Sequence, residues 1–384
     1  MAESQEHFDF IIIGNGLAGL QLALKMAGDS FFDNKSIALI DASDKSENDK
    51  SWSYWEKEEG QWNHIVHNSW QSARILTSDL NLELNLKPYT YKTIRSIDFY
   101  KNAKSILSKK QNFYFVIEKV LSVDEGSISK VCTEHQIFFA THIFDSRIPK
   151  ELYNKKQNAD LISIKQHFKG IFIKTPETCF NPLEFIMMDY RLKDGEQTTF
   201  TYVLPFSETE ALIEFTYFTS ETVDEDTYDI FIKKYIANYL KISDYEITDT
   251  EMGVIPMTTF NFEKFSTKNI TKIGTAGGWV KASTGYSFKH TEKKVAQIIR
   301  NLKKNSLPSN GLSKKKYKFY DKIFLKVLKD ENFKGEWVFG QFYAKNSVQT
   351  MFRFLDEESS FAEELRIMLS LFSWSFIKAF FKTL

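Results

Sequence analysis

The chain of 384 residues is long enough to bury a large core shared among about two or three interlocked lobes. Its 50 Lys and Arg balance 50 Asp and Glu, so no net field would hold a nucleic acid or steer an acidic substrate, and no nucleic-acid partner is expected. Cys132 and Cys179 are too few for a disulfide framework and lack metal-ligand spacing, which favours a reducing compartment and no metal centre.

The N-terminal Met1–Glu6 is acidic and polar rather than basic then apolar, so a signal peptide is not expected. Phe8–Ile13 is an apolar run too short for a buried helix. It ends in Gly14-Asn15-Gly16-Leu17-Ala18-Gly19 and continues into the helix-like Leu20–Met26, so the stretch reads as strand, tight turn, helix. In such a unit the first glycine makes the turn, the second lets the backbone approach a pyrophosphate, and the third lets helix and strand meet closely. Ser36–Asp41 reads as a second strand, its terminal Asp41 about 22 residues past Gly19, near the spacing for a carboxylate that holds a ribose hydroxyl. An aspartate at a strand end is often only a turn former, but strand, glycines and spacing together read as a dinucleotide site.

Four of the seven tryptophans, Trp52, Trp55, Trp62 and Trp70, follow in a polar stretch without helical period. The pattern reads as an aromatic loop that packs on a core or on a bound planar or polyene group. The 35 phenylalanines leave the same alternatives open: a Phe-rich core, or a cavity for a long apolar ligand. Tyr89–Val116 looks helical then extended, and Gln136–Asp145 is another apolar strand ending in an acid, as where a parallel strand delivers its C-terminal end to a cofactor crevice. His142 within it reads as a core or strand histidine.

Between about Lys150 and Asp249 the texture becomes β-rich with aromatic alternation, in Gln166–Ile173, Thr198–Pro205 and Ala211–Phe218, which predicts an antiparallel sheet inserted into the nucleotide-binding fold. Glu214 lies inside the last of these runs. Alternation alone favours a solvent-facing carboxylate; if it points inward, desolvation would raise its pKa and keep it a proton donor near neutral pH. After a helix-like Tyr228–Lys241, the strand Asn269–Ile273 feeds a second glycine-rich junction, Gly274–Ser287, before the helical Phe288–Leu302. Two such junctions suit a two-part flavin site; no Gly-Lys-Ser/Thr ends the second, so it is not a P-loop. The C-terminal Arg366–Lys382 is aromatic, flanked by Arg366, Lys378 and Lys382, and too short to span a bilayer. A surface-lying membrane helix, a buried helix and an oligomer contact all fit it.

Taken in order, these segments resemble the lycopene cyclase family, flavoproteins that form rings at the ends of lycopene. The matching pieces are Gly14–Gly19, Asp49-Lys50-Ser51-Trp52-Ser53-Tyr54-Trp55, Gln166–Gly170, Met188-Asp189-Tyr190, Val203–Ser207, Ile213-Glu214-Phe215-Thr216, Gly253–Met257 and Thr284-Gly285-Tyr286-Ser287. The ordered set with Asp-Lys-Ser-Trp and Thr-Gly-Tyr-Ser is far more specific than the glycine fingerprint.

The resemblance implies an α/β fold of p-hydroxybenzoate-hydroxylase-like flavoprotein architecture. A discontinuous Rossmann-type FAD-binding domain would comprise 1–90, 91–150 and 250–305. An antiparallel substrate sheet would span 151–249, and a helical region with possible membrane contact 306–384. It implies a bacterial-type lycopene β-cyclase, a redox-neutral isomerase that needs FAD in its reduced form, with NADPH or NADH as electron source. Its partners would be lycopene, related carotenes and a membrane surface, met peripherally from the cytoplasmic side. FAD would be held by Gly14, Gly16, Leu17, Ala18, Gly19, Asp41, Trp52, Gly274, Gly277, Thr284, Gly285 and Tyr286, with Trp55, Phe215 and Pro256 in the substrate pocket.

Glu214 occupies the position of the essential acid in the family's Leu-Glu-Glu/Asp-Thr motif. The acid that follows it there is Phe215 in this chain, and Thr275 stands where many flavin hydroxylases have an acid. The implied chemistry is protonation of the terminal double bond of lycopene, ring closure by the neighbouring alkene, and loss of a proton to give the β-ionone end. Anionic reduced flavin would stabilise the cation electrostatically. Aromatic faces from Trp52 and Trp55 would add about 0.5 to 2 kcal/mol each. A flavin monooxygenase or polyene reductase on the same fold, and a non-catalytic carotenoid-binding flavoprotein, remain as alternatives.

Overall fold

The computed structural model describes residues 6–154 and 161–383; most of the acidic N-terminal stretch, residues 1–5, lies outside the described residues. The apolar run after it forms the central strand Glu6–Ile13 of a parallel sheet. Around it the order is Phe113–Ile117, Ile37–Asp41, Glu6–Ile13, Ile137–Asp145 and Ile270–Lys272, all parallel. Such strands are covered on both faces, which is why Ile11 and Ile12 are both fully buried. Phe10 and Ile12 join the core beneath the helices Leu17–Ala27, Ser96–Leu107 and Phe288–Lys303. Ile11 and Ile13 point the other way, toward Val131, Phe138 and Ile143, where the antiparallel strands Ser129–Thr133 and Val120–Asp124 extend the sheet.

A second sheet runs in the order Glu246–Thr258, Ser163–Lys174, Glu210–Thr219, Thr199–Pro205, Glu184–Asp189, Ser72–Leu76 and Asn81–Asn85. It is antiparallel except where Glu184–Asp189 meets Ser72–Leu76 in parallel. One face packs on the helix Glu225–Tyr235 through Ile213, Phe215 and Tyr217. The other carries Leu212 and Phe218 toward the C-terminal helices. Ser51–Glu56, Thr90–Arg95 and Asn68–Trp70 pair as a third, small sheet with Thr90–Arg95 in the middle.

Three sequence expectations change in detail. Residues 72–85 and 246–258 pair with the second sheet, so that sheet draws on strands outside the expected 151–249. The tryptophan-rich stretch is partly strand: Ser51–Glu56 pairs with Thr90–Arg95, as its aromatic and Ser alternation allows. The C-terminal run is two helices, Phe361–Ser370 and Trp374–Thr383, following Lys315–Asp330, Gly335–Ala344 and Val348–Leu355. Among the described residues no helix is long and apolar enough to cross a membrane.

Candidate active site

The two glycine-rich junctions meet at one cavity of about 570 Å³, lined by Gly14, Gly16, Leu17, Ala18 and Gly19 from the first and by Gly274, Thr275, Thr284, Gly285 and Tyr286 from the second. Gly14 sits at φ +99°, and a Cβ on Gly19 would lie 2.0 Å from the Gly14 carbonyl oxygen, so turn and helix can approach only as glycines. Gly16 differs: a Cβ there would meet nothing within 4 Å. It points into open cavity.

The helices Leu17–Ala27 and Phe288–Lys303 both start at this cavity, and neither has a side-chain cap or an acidic residue in its first turn. Their first amides are therefore free for an anionic ligand. Nearby, Asn15 Oδ1, Gln166 Oε1 and Thr284 Oγ1 are buried polar atoms without a hydrogen-bond partner. Uncapped helix starts, an open glycine and orphaned polar atoms fit a bound dinucleotide with a polar ring system.

The other predicted residues fall into distinct places. Trp52 lines the cavity and meets Phe99 edge-on at 5.5 Å. Asp41 ends its strand as expected. Its carboxylate accepts the Asn15 amide at 2.6 Å and the Ser43 amide at 2.8 Å and pairs with Lys45 at 3.5 Å, fixing the loop beside the cradle. Gly277 faces a neighbouring cavity of about 380 Å³ behind the loop, and a Cβ there would lie 2.5 Å from the Lys272 carbonyl oxygen. The loop's tight fold accounts for that glycine. Pro256 lines both cavities.

Two pocket assignments are corrected. Phe215 follows Glu214 on a strand, so it points to the opposite face and stacks on Phe231 at 4.8 Å in the apolar layer under Glu225–Tyr235. Trp55 is buried behind Tyr286, stacked on Phe352 at 4.3 Å, with its indole N–H donating to Asp356 Oδ2 at 3.0 Å. Neither side chain reaches the cavity. Its aromatic wall comes instead from Phe168, Phe200, Phe218, Phe339, Phe342 and Tyr343.

Glu214 points inward. It is 8 % exposed, lines the cavity, and accepts the Thr216 hydroxyl at 2.6 Å. Burial and then the negative charge of Glu251 push its pKa well above the ordinary value of 4.5, against the pull of Thr216. Glu251, which the sequence reading missed, is equally buried and lines the same cavity. Burial raises its pKa too, against hydrogen bonds from Ser51, and its Oε2 has no partner.

Register explains the meeting. Glu214 and Glu251 each pair with Gly170 from opposite sides, and Tyr202 pairs with Glu214, so the four positions form one row across the sheet. A Cβ on Gly170 would lie 3.3 Å from Glu214 Cβ and 3.4 Å from Glu251 Cγ, so glycine leaves nothing between the carboxylates. Among the described residues no Lys or Arg forms an ion pair with either acid. Beyond Glu214 the row continues in phenols. Tyr202 donates to Tyr91 at 2.9 Å, Tyr91 and Tyr286 hydroxyls are 3.1 Å apart, and burial keeps all three protonated.

Glu251 ends the polar run Glu246-Ile247-Thr248-Asp249-Thr250-Glu251, which by itself reads as a solvated strand. Its only sequence signal is its place two residues before the Gly253–Met257 segment. Of the three tyrosines only Tyr286 was marked, by the Thr-Gly-Tyr-Ser match; Tyr91 and Tyr202 carried no signal, because the convergence depends on separate strands and a loop.

A family model described as lycopene cyclase protein matches residues 9–380, nearly the whole chain. No curated protein sequence matches it. Among solved structures it is similar to a geranylgeranyl bacteriochlorophyll reductase-like protein from Thermoplasma acidophilum, at 12 % identity and TM-score 0.61, over 99 % of this chain and 100 % of that one. A tryptophan halogenase from Shewanella frigidimarina aligns at 11 % identity and TM-score 0.60, covering 99 % and 93 % of the two chains. A variant of the halogenase PltM, solved in complex with FAD, aligns at 12 % identity and TM-score 0.59, covering 98 % and 90 %. At these identities the likeness is one of fold, that of flavin-dependent halogenases and reductases.

Proposed function

From the premise that the chain belongs to the lycopene cyclase family, we propose that it is a lycopene β-cyclase, converting the ends of lycopene to β-ionone rings without net redox change. The observation that carries this is a buried Glu214, its pKa pushed up by burial, in an aromatic-walled cavity that opens onto a dinucleotide cradle. An acid held neutral by burial is the group needed to protonate an isolated double bond near neutral pH.

FAD is the cofactor that the cradle fits: Gly14–Gly19 and the helix start at Leu17 would hold its pyrophosphate, and Asp41 would take its ribose. Bound and reduced, it would supply negative charge to stabilise a developing cation, with NADPH or NADH as the source of its electrons. The chain itself does the rest. Glu214 donates the proton, Phe168, Phe200 and Phe218 exclude water, and the hydroxyl oxygens of Tyr91, Tyr202 and Tyr286 present lone pairs to a cation.

We propose further that lycopene reaches the cavity from a membrane surface on the cytoplasmic side. The last two helices and the turn between them expose Phe361, Leu369, Phe372, Trp374 and Phe381 beside Arg366, Lys378 and Lys382. An apolar ridge flanked by cations suits an interfacial helix pair on anionic lipid. Helix Gly335–Ala344 adjoins this ridge: Phe339 and Phe342 line the cavity while Trp337 is 40 % exposed.

Expression in lycopene-accumulating cells tests the activity. Pigment shifts from red toward orange-yellow if the reading holds. Unchanged lycopene in cells that contain folded, FAD-loaded protein contradicts it.

A further inference from the structure

Cyclisation needs a base as well as an acid, because the proton added at the start must be matched by one removed from the ring. A carboxylate at position 215 would face the helix Glu225–Tyr235, away from the cavity, so the sequence neighbour of Glu214 offers no base. The cavity holds one other buried carboxylate with a free oxygen, Glu251 Oε2, one strand beyond Gly170. We propose that Glu251 is the base of the reaction: Glu214 delivers the initiating proton, and the Glu251 carboxylate across Gly170 removes the ring proton.

This rests on the cyclase reading and completes its balance. The Glu214 proton adds to the terminal double bond and leaves a tertiary cation. The electron pair of the next double bond closes the ring and moves the cation to the ring carbon beside the new bond. The hydrogen on the ring-junction carbon leaves as a proton to Glu251, and its bonding pair becomes the ring double bond. Substrate and product have the same composition; Glu214 ends ionised, Glu251 ends protonated, and one proton transfer restores the pair.

The surroundings suit a pair that holds one proton. Asp249 lies on the same strand and Ser51 beside Glu251, and both Asp249 and Glu214 repel a second negative charge. The cavity's nearest cations are already engaged: Lys50 with Asp49 at 3.3 Å and Lys45 with Asp41 at 3.5 Å. With no cation to neutralise them, the two buried carboxylates favour a state in which one is protonated and one ionised. That state has an acid and a base in one cavity.

The test compares wild type, Glu251→Gln and Glu251→Asp, each FAD-loaded and kept reduced, on lycopene in liposomes. If wild type forms no rings, the cyclase reading itself fails and the comparison stops there. If it does, Glu251→Gln should retain FAD and form β-rings about 100-fold more slowly or worse, the loss expected for a general base. Its residual product should be diverted to ring isomers that lose a different hydrogen. Glu251→Asp should recover part of the β-ring rate. The wild-type rate should fall at both low and high pH; Glu251→Gln should lose the low-pH fall, because the group protonated there is gone. Glu251→Gln forming β-rings at the wild-type rate, or keeping both pH limbs at a lower rate, overturns the assignment.

Discussion

The residue on which the site turns is as much Gly170 as either acid. Its missing side chain lets Glu214 and Glu251 share one row, and a Cβ there would also lie 2.8 Å from Leu212 Cδ1. Gly170→Ala should therefore fold with a loss of about 1 to 3 kcal/mol from overpacking. It should lower cyclisation far more than it lowers FAD binding, which thermal melts and flavin absorbance separate from turnover. The acids also make stability depend on pH. Both have folded-state values above the ordinary 4.5, so folding binds their protons more tightly than the unfolded chain does. Their contribution is fully present below the unfolded value and is lost as pH rises through the folded ones. Melting temperature should fall from mildly acidic to alkaline pH, and Glu214→Gln, which has no charge to bury, should flatten that fall. A Glu214→Gln protein that melts with the wild-type pH dependence would remove the carboxyl from this role.

At the scale of elements, the first strand–turn–helix separates cofactor binding from structure. A side chain at Gly16 meets only the open cavity, whereas one at Gly19 strikes the Gly14 carbonyl. Gly16→Val should keep the melting temperature of the FAD-free protein and weaken FAD binding at least about tenfold, equivalent to 1.4 kcal/mol. Gly19→Val should lower both. Flavin fluorescence titration and thermal melts of the stripped proteins check the pair. This element was legible from sequence because its signal is local: apolar run, three glycines, then helix period. The second sheet was legible as β but not in extent, since Ser72–Leu76 and Asn81–Asn85 join it through a parallel pairing that spans over a hundred residues of chain. Glu214 was visible as a candidate, but its direction depended on which face of the sheet is covered. Both faces are, by helix Glu225–Tyr235 on one side and the cavity wall on the other, so the solvent-facing carboxylate that alternation favoured does not hold. Glu251 stayed hidden because strand register, rather than sequence spacing, brings it to Glu214, and Tyr91 and Tyr202 because the elements that bring them to Tyr286 lie far apart in the chain.

For the whole molecule, the C-terminal helices tie the cavity to the surface. Replacing exposed Leu369, Phe372 and Trp374 with Ser should leave the melting temperature nearly unchanged. It should abolish flotation with anionic liposomes and spare conversion of detergent-dispersed lycopene. Flotation equal to wild type would move the membrane contact elsewhere. Central to the proposed chemistry is that Glu214 starts a ring closure that leaves the oxidation state of the substrate unchanged. The most direct measurement mixes purified, FAD-loaded, reduced protein with lycopene in liposomes without oxygen, and reads product identity and mass for wild type and Glu214→Gln. Wild type should give a β-ring product of the same mass as lycopene, and Glu214→Gln should give none with FAD still bound. Unchanged lycopene from wild type, a product of altered mass, or equal conversion by Glu214→Gln would contradict that role.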